Sequence, residues 1–373
     1  MFYFIKQLSK MSLGSLFYYT GALKIYENYF KQSLFPLIFY YHRVRDNDAA
    51  DNVGLSISVD NFNNQIKYFA RYCNVVSLDF MVKKIREGKS LSPNDVAITF
   101  DDGYNDNYAN AYPVLKKYNV PATIFLTTGY IGTNRLLWWD KLIFILSHIK
   151  QEEVQNIPLK DEILPKSIKH KICECVKNFN GKEISLLINE LKSIGRSKRE
   201  WILKYLEDNY GDKTGLRFIP RTFLSWDEIK EMANNGISFG SHTHTHSILT
   251  EISHEEIRKE LTISKQIIEE GISKQISAFA YPDGCLNEEI RNIVKQSGYG
   301  FAVQTFRNNE NNKIDLFSIP RKMIKEGHSR GIFEKFSKAL FAMELSGILD
   351  KFFLRKKRSI NPYKKYISRS NAV

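Results

Sequence analysis

The sequence predicts an α/β protein built on a mainly parallel sheet. Short apolar and aromatic runs recur along the chain, and most are followed by a segment whose apolar residues keep helical spacing. That alternation at short intervals is the signature of repeated β/α units. The runs are continuously apolar, as expected of strands covered on both faces. Two of them lead straight into clusters of Asp or His, which puts polar chemistry at strand ends.

Taken in order, residues 1–35, rich in Phe and Tyr with Lys interspersed, read as one or two amphipathic helices. Residues 33–44 form a continuous apolar run and the first buried strand. Residues 59–72 place Phe62, Ile66, Phe69 and Ala70 at helical spacing. Residues 73–89 give a short strand and a helix closing at Gly88, and residues 95–104 a second buried strand ending in an acidic turn. Residues 110–119 are helical and 120–131 supply a third strand. From about Gly132 to Pro220 the rhythm breaks into charged helical sequence, too long for a plain connection in a compact domain. It is predicted as a helical insertion packed on a barrel-like body. Helix and strand then alternate again through residues 226–305, a strand-like stretch covers 317–324, and 331–354 read as a helix. The organisation expected is an N-terminal segment over 1–35 and a β/α body over 36–325, interrupted at about 132–220. A C-terminal helix and tail then cover 326–373.

The 373 residues are 43% hydrophobic and 25% charged, ordinary for a globular protein able to bury a sizeable core. The net charge of +13 raises nucleic acid or an anionic surface as partners. Its placement decides: from Lys351 onward there are eight basic residues and no acidic one. The charge sits in a tail and no nucleic-acid motif accompanies it, so nucleic acid is not expected. Apolar residues at helical spacing from Phe333 to Phe352 make the preceding segment either an interfacial helix drawn to anionic lipid or a helix docked on the body. Cys73, Cys173, Cys175 and Cys285 lack disulfide or zinc-knuckle spacing and read as reduced thiols. No secretory signal or bilayer-length apolar stretch stands out, and a cytoplasmic location, peripheral at the inner face of a membrane, is the expectation.

The chemistry concentrates in two places. Thr99–Gly103 reads Thr-Phe-Asp-Asp-Gly directly after an apolar strand. In parallel sheets ligands gather beyond the C-terminal strand ends, and adjacent carboxylates there repel unless a cation neutralises one. The alternative is a solvated turn. Ser241–Ser247 reads Ser-His-Thr-His-Thr-His-Ser after another apolar strand. His242 and His246 are four apart, so one helical turn would put both imidazoles on one face. With one carboxylate they would make a three-ligand zinc site. His244 is the competitor, and a metal-free polar loop is the alternative.

Together, the Asp-Asp-Gly and His-x-x-x-His segments resemble the first two motifs of the polysaccharide deacetylases, carbohydrate esterase family 4. The resemblance covers roughly residues 36–130 and 220–325. It implies a distorted (β/α) barrel, Asp101 as general base, and Asp102, His242 and His246 as ligands of a divalent ion, Zn2+ foremost with Co2+ or Ni2+ suitable. It also implies departures from the family pattern. The late Leu-x-His acid is absent, since His328 lacks the apolar context. Tyr-Tyr-His-Arg-Val at 40–44 is instead similar to the exopolysaccharide, poly-N-acetylglucosamine-type branch, which makes His42 the acid or else a structural rim histidine. Ala-Tyr-Pro-Asp-Gly at 280–284 resembles the oxyanion loop, assigning Tyr281, Pro282 and the Asp283 backbone N–H to the substrate side. Ala280 stands where the family has its base-orienting arginine. Arg321 is the candidate replacement, or it pairs with a surface carboxylate.

Trp138 and Trp139 suit core packing better than sugar stacking, and Trp226 is expected to be buried. The function implied is deacetylation of an N-acetylated sugar in a surface glycan or its lipid-linked precursor. A non-catalytic glycan-binding barrel is the competing reading.

Overall fold

The computed structural model describes residues 12, 14–23, 37–46, 53–150, 152–153, 165–305, 314–331 and 335–348. Among the described residues, eleven strand segments run in chain order. They are β1 (Leu37–Tyr41), β2 (Arg43–Val44), β3 (Ser56–Ile57), β4 (Asn74–Val75), β5 (Asp95–Phe100), β6 (Ala122–Leu126), β7 (Ile237–Ser241), β8 (Ala278–Ala280), β9 (Phe301–Gln304), β10 (Ile319–Pro320) and β11 (Lys322–Met323). Every pairing in the large sheet is parallel, in the order β10-β9-β8-β7-β6-β5-β1-β11, with β4 also on β5. The two ends of that order are one piece of chain. Ile319–Pro320 pairs with Val303–Gln304 of β9, whereas Lys322–Met323 pairs with Phe39–Tyr40 of β1. The sheet therefore closes into a barrel at Arg321, the residue between β10 and β11.

Helices wrap the barrel: α1 (Val59–Tyr72), α2 (Leu78–Arg86), α3 (Tyr112–Lys117), α8 (Trp226–Asn234), α9 (His254–Ile272) and α10 (Glu288–Gln296). Local sequence sets their ends. Ser225 with Glu228, and Ser253 with Glu256, form capping boxes that start α8 and α9.

Side chains alternate across each strand, and the alternation explains the two layers of core. Phe39, Ile98, Ile124, Phe239 and Phe279 point outward into the helices. Ile38, Ala97, Phe125, Ala278, Ala280, Val303 and Ile319 fill the inside, which α2 closes at the bottom with Leu78, Met81 and Val82. The same alternation, continued to the strand ends, sends positions 42, 101 and 321 inward.

The insertion is helical as expected, with α4 (Trp138–His148), α5 (Lys166–Lys177), α6 (Gly181–Ser193) and α7 (Arg196–Thr214). It has its own core, including Leu142, Ile145, Leu187 and Ile202. Within the described part of the C-terminal apolar pattern, α11 spans Lys338–Ser346, capped by the Ser337 hydroxyl and interrupted at Gly347, φ +70°. Every residue from Ala339 to Ser346 is buried, and Phe341 packs edge-on against Tyr68 and Phe69 of α1. A helix covered on all sides has no face left for lipid, so this stretch takes the docked reading. The basic run from Lys351 and most of residues 1–35 lie outside the described residues; residues 14–19 are helical. Among the described residues no helix is long and apolar enough to cross a membrane, and no disulfide joins the four cysteines.

Gly240 lies on the inner face of β7, where a Cβ would sit 2.7 Å from the Phe125 ring and 2.8 Å from the Ala278 carbonyl oxygen. Gly240→Ala is therefore expected to cost about 1–3 kcal/mol through overpacking. A midpoint in urea unchanged from the parent would contradict this account of the barrel interior.

Candidate metal centre at the C-terminal rim

Strand β5 ends at Phe100, and the next two residues diverge. Asp101 stays on the inward face, with its N–H donating to the Tyr41 carbonyl at 3.0 Å. Asp102 turns into the left-handed region, φ +74°, followed by Gly103 at +78°. A Cβ on Gly103 would lie 2.8 Å from Leu126 Cδ2, so both the sign of φ and the close packing call for glycine. The reversal points the two adjacent carboxylates at different partners.

Asp101 receives a bidentate clamp from Arg321: Nη1 to Oδ1 at 2.7 Å and Nη2 to Oδ2 at 2.8 Å. Nη1 also donates to Thr99 Oγ1 at 3.0 Å. The guanidinium lies between the rings of Tyr40 and Phe125, 4.7 and 5.2 Å from their centroids. Burial alone would push the Asp101 carboxyl up, but Arg321 and the nearby histidines hold it below the usual carboxylate range. Arg321 thus meets a deeply buried carboxylate rather than a surface one.

Asp102 Oδ1 lies 3.2 Å from His246 Nε2 and 3.5 Å from His242 Nε2. All three residues are buried, and one ligand atom from each falls within 4.8 Å of the others. The two histidines are not brought together by a helical turn. Thr243 and His246 have φ of +68° and +60°, so the chain loops out between them. His244 faces away, its Nδ1 2.9 Å from Thr128 Oγ1. Glu260 of α9 fixes this loop by accepting from the N–H groups of His244 and Thr245, at 2.7 and 2.8 Å.

The donor set fits a divalent ion. Both Asp102 carboxylate oxygens are buried with no hydrogen-bond donor, an expensive arrangement unless a cation is their partner. His242 Nδ1 lies 2.8 Å from the Ala280 carbonyl. A proton on that nitrogen leaves the Nε2 lone pair facing Asp102 and His246. Burial pushes His242 down to about 4, favouring the neutral imidazole a metal requires.

His42 follows the inward end of β1. Its ring packs edge-on against Tyr40, and burial holds its pKa below the ordinary value against the opposing pull of Asp102 and Asp101. Its Nδ1 is buried without a hydrogen bond. The third motif divides by strand parity: Ala280 faces inward and Tyr281 outward. The Tyr281 ring is fully buried beside Phe279, and its hydroxyl donates to the Phe317 carbonyl at 2.9 Å, so it is a packing residue. That corrects the substrate-side assignment of its side chain. Pro282 opens the one-turn 3-10 segment Pro282–Gly284, and Asp283 within it has φ +54°.

Two contributions were not legible in the sequence motifs. Lys192 of the insertion helix α6 pairs with Asp283 Oδ1 at 2.5 Å. The Trp139 ring, from α4, sits edge-on to His246 with centroids 4.7 Å apart. Its Nε1 donates to Tyr104 Oη at 3.2 Å, and that hydroxyl donates to Asp140 Oδ2 at 2.7 Å. Trp139 is therefore buried as expected, but against a metal-site histidine. Trp226 is only partly buried, its ring edge laid over Gly271.

With the geometry in hand, comparison with known proteins is direct. Residues 88–302 match the polysaccharide deacetylase family model, and the chain belongs to that family of hydrolases acting on carbon–nitrogen bonds other than peptide bonds. The Bacillus subtilis protein YxkH is 25% identical over 249 residues, 67% of this chain and 58% of that protein, so the match spans little more than half of that relative. A poly-β-1,6-N-acetyl-D-glucosamine N-deacetylase from Staphylococcus epidermidis is 28% identical over 216 residues, 55% of this chain and 71% of that one. Among solved structures, the Streptococcus pyogenes deacetylase PplD superposes with a TM-score of 0.51 at 19% identity, covering 80% of this chain and 95% of that one. That likeness concerns the fold.

Arg321→Ala would strand a buried carboxylate, which typically costs about 3–5 kcal/mol. Denaturant unfolding is expected to show that loss, and one under about 0.5 kcal/mol would contradict a load on the pair. A second expectation concerns Asp140, whose carboxyl burial pushes up to about 6 although Arg43 and Tyr104 pull it down. A carboxyl that holds its proton more tightly folded than unfolded stabilises fully below its ordinary value near 3.8, and that contribution fades as pH rises to about 6. Asp140→Asn should therefore shrink the fall in Tm between about pH 4 and 6.5, measured by calorimetry. An undiminished fall would assign it to other groups.

Proposed function

We propose that this protein hydrolyses the acetamide of an N-acetylated sugar in a surface glycan or its lipid-linked precursor, using a divalent ion held by Asp102, His242 and His246. The observation that carries the reading is the pairing of two unlike carboxylates. Asp102 has both oxygens buried and undonated beside two imidazoles, and Asp101, its neighbour, is clamped by Arg321. Family membership and the relative that acts on poly-β-1,6-N-acetyl-D-glucosamine support N-acetylglucosamine as the sugar class. Zn2+ is the expected ion, and Co2+ or Ni2+ suit the same donors.

Such an ion, when bound, polarises the amide carbonyl and offsets the charge that develops on its oxygen. The chain's own groups do the rest. Asp101 is ionised because Arg321 stabilises its charge. Each of its oxygens keeps a second lone pair beyond the one the guanidinium occupies, so it can accept a proton from the attacking water. The bidentate grip stops the carboxylate from rotating away, which preserves that geometry. The Asp283 backbone N–H is assigned to the developing oxyanion. His42 is neutral at rest, so in this reading it receives the proton released in the site and delivers it to the nitrogen as the C–N bond breaks, leaving acetate and a free amine. The competing binding-protein reading rests on two absences, the base-orienting arginine and the late histidine, and the bidentate contact of Arg321 with Asp101 speaks against the first.

Asp101→Asn should lower acetate release by about 10²–10⁴-fold while bound zinc per chain stays at the parent level. His246→Ala should lose the metal itself. Acetate assays on N-acetylated glucosamine oligomers, with metal content by atomic absorption, distinguish these cases. Full turnover by the Asn variant would remove Asp101 from the mechanism.

A further inference from the structure

Outside the family motifs lies a cavity of about 610 Å3. One wall is the loop after β6, from Tyr130 to Leu136, and the other is the insertion, through Trp138 and Lys141 of α4 and Leu203, Lys204 and Glu207 of α7. Two contacts tie this cavity to the site. Trp138 and Trp139 are consecutive, their rings edge-to-face 5.6 Å apart. Trp138 lines the cavity, whereas Trp139 packs on His246. The loop wall is anchored to the histidine segment by the Gly129 N–H, which donates to the His244 carbonyl at 2.8 Å. The cavity and the metal residues are thus linked through two adjacent tryptophans, Trp138 on the cavity and Trp139 on His246.

We propose that this groove is a subsite for the part of an N-acetylhexosamine chain beyond the sugar being deacetylated, a role that rests on the deacetylase reading above. Its chemistry suits a sugar. Trp138 is only partly buried, with Arg199 over its ring at 5.2 Å and Trp139 edge-to-face with it, and the indole surface left to the cavity suits the flat C–H face of a pyranose. Arg135 stacks over Tyr130 at 5.0 Å and donates Nη1 to the Gly129 carbonyl at 3.2 Å, leaving further N–H donors in a fixed plane. Lys141 and Glu207 meet at 2.8 Å across the two insertion helices, a fixed pair of donor and acceptor. Arg135, Lys141, Lys204 and Arg217 line the groove together with Glu200 and Glu207, so it offers both donors and acceptors to a polyhydroxyl ligand. The insertion thereby becomes the element that reads chain length.

The test is the ratio of kcat/KM for a β-1,6-linked N-acetylglucosamine hexamer to that for the dimer, in the zinc-loaded full chain. Arg135→Ala and Trp138→Ala are each expected to lower this ratio about tenfold, with the change mostly in KM for the hexamer. Arg135 is exposed, so its variant is not expected to perturb folding, and thermal unfolding checks both. An unchanged ratio in Arg135→Ala, or an equal fall for dimer and hexamer in a folded variant, overturns the subsite. Calorimetric titration of the hexamer separates the two readings. If the parent binds it, Arg135→Ala binds it about tenfold more weakly and neither hydrolyses it, the groove stands and the deacetylase reading falls. Equal binding by parent and variant, or none by either, overturns the groove.

Discussion

The structure turns on one ion pair, that between Arg321 and Asp101. Placing two charges inside a barrel is costly, and it persists only where geometry is good and the remaining hydrogen-bonding capacity is used. Here the guanidinium is forked onto the carboxylate, donates again to Thr99 and is sandwiched by Tyr40 and Phe125. These partners come from β1, β5 and β6, and Arg321 itself joins β10 to β11. The residue that closes the barrel is therefore the residue that keeps the candidate base ionised. Loosening the seam would also move the carboxylate, so fold stability and site geometry are coupled at this point.

A second constraint is stored in the backbone. Asp102, Thr243 and His246 all adopt left-handed conformations that side chains ordinarily avoid. Each such residue costs about 1–3 kcal/mol unless its surroundings enforce it. The surroundings do: Glu260 accepts from two N–H groups of the histidine loop, and the Thr128 N–H donates to the Thr243 carbonyl. The strained residues are two of the three proposed ligands and the spacer beside them. Preorganisation at a metal site requires this kind of external support, because the donors themselves repel or sit unsatisfied without a cation.

Much of this was legible in the sequence because parallel strands announce themselves as apolar runs and the site residues sit at their ends. Asp101, Asp102, His242 and His246 fall together for that reason, and the inward parity of His42 and Arg321 follows from counting along their strands. What was not legible depends on contacts between segments far apart. The helical-turn explanation of the His242–His246 spacing failed because two positive φ angles, invisible in residue types such as Thr and His, bend the loop. Tyr281 was assigned to the substrate side by motif likeness, although strand alternation sends it outward once Ala280 is placed inward. The apolar period from Phe333 to Phe352 was compatible with lipid as well as with the favoured docking on protein; burial of the whole of α11 decides for protein over the described stretch. Trp139 and Lys192 carried no motif at all, since their partners are more than 90 residues away.

Those last two residues bear on how the molecule is assembled. The barrel alone supplies both carboxylates and both proposed histidine ligands, which would make the insertion a peripheral addition. Its contacts argue otherwise. Trp139 packs edge-on to His246, the histidine whose Nδ1 has no hydrogen bond, and thereby restrains a ring that the barrel leaves less firmly held than His242. Lys192 holds Asp283, in the turn whose backbone is assigned to the oxyanion. Arg199 adds a buried pair with Glu251, just beyond the histidine loop, at 2.6 Å. Three of the insertion's helices therefore each reach one part of the rim. Removing the insertion would leave every motif residue in the chain yet take away the packing that fixes one histidine and the charge that fixes the turn at Asp283. The barrel specifies which groups meet, and the insertion sets how rigidly they are held.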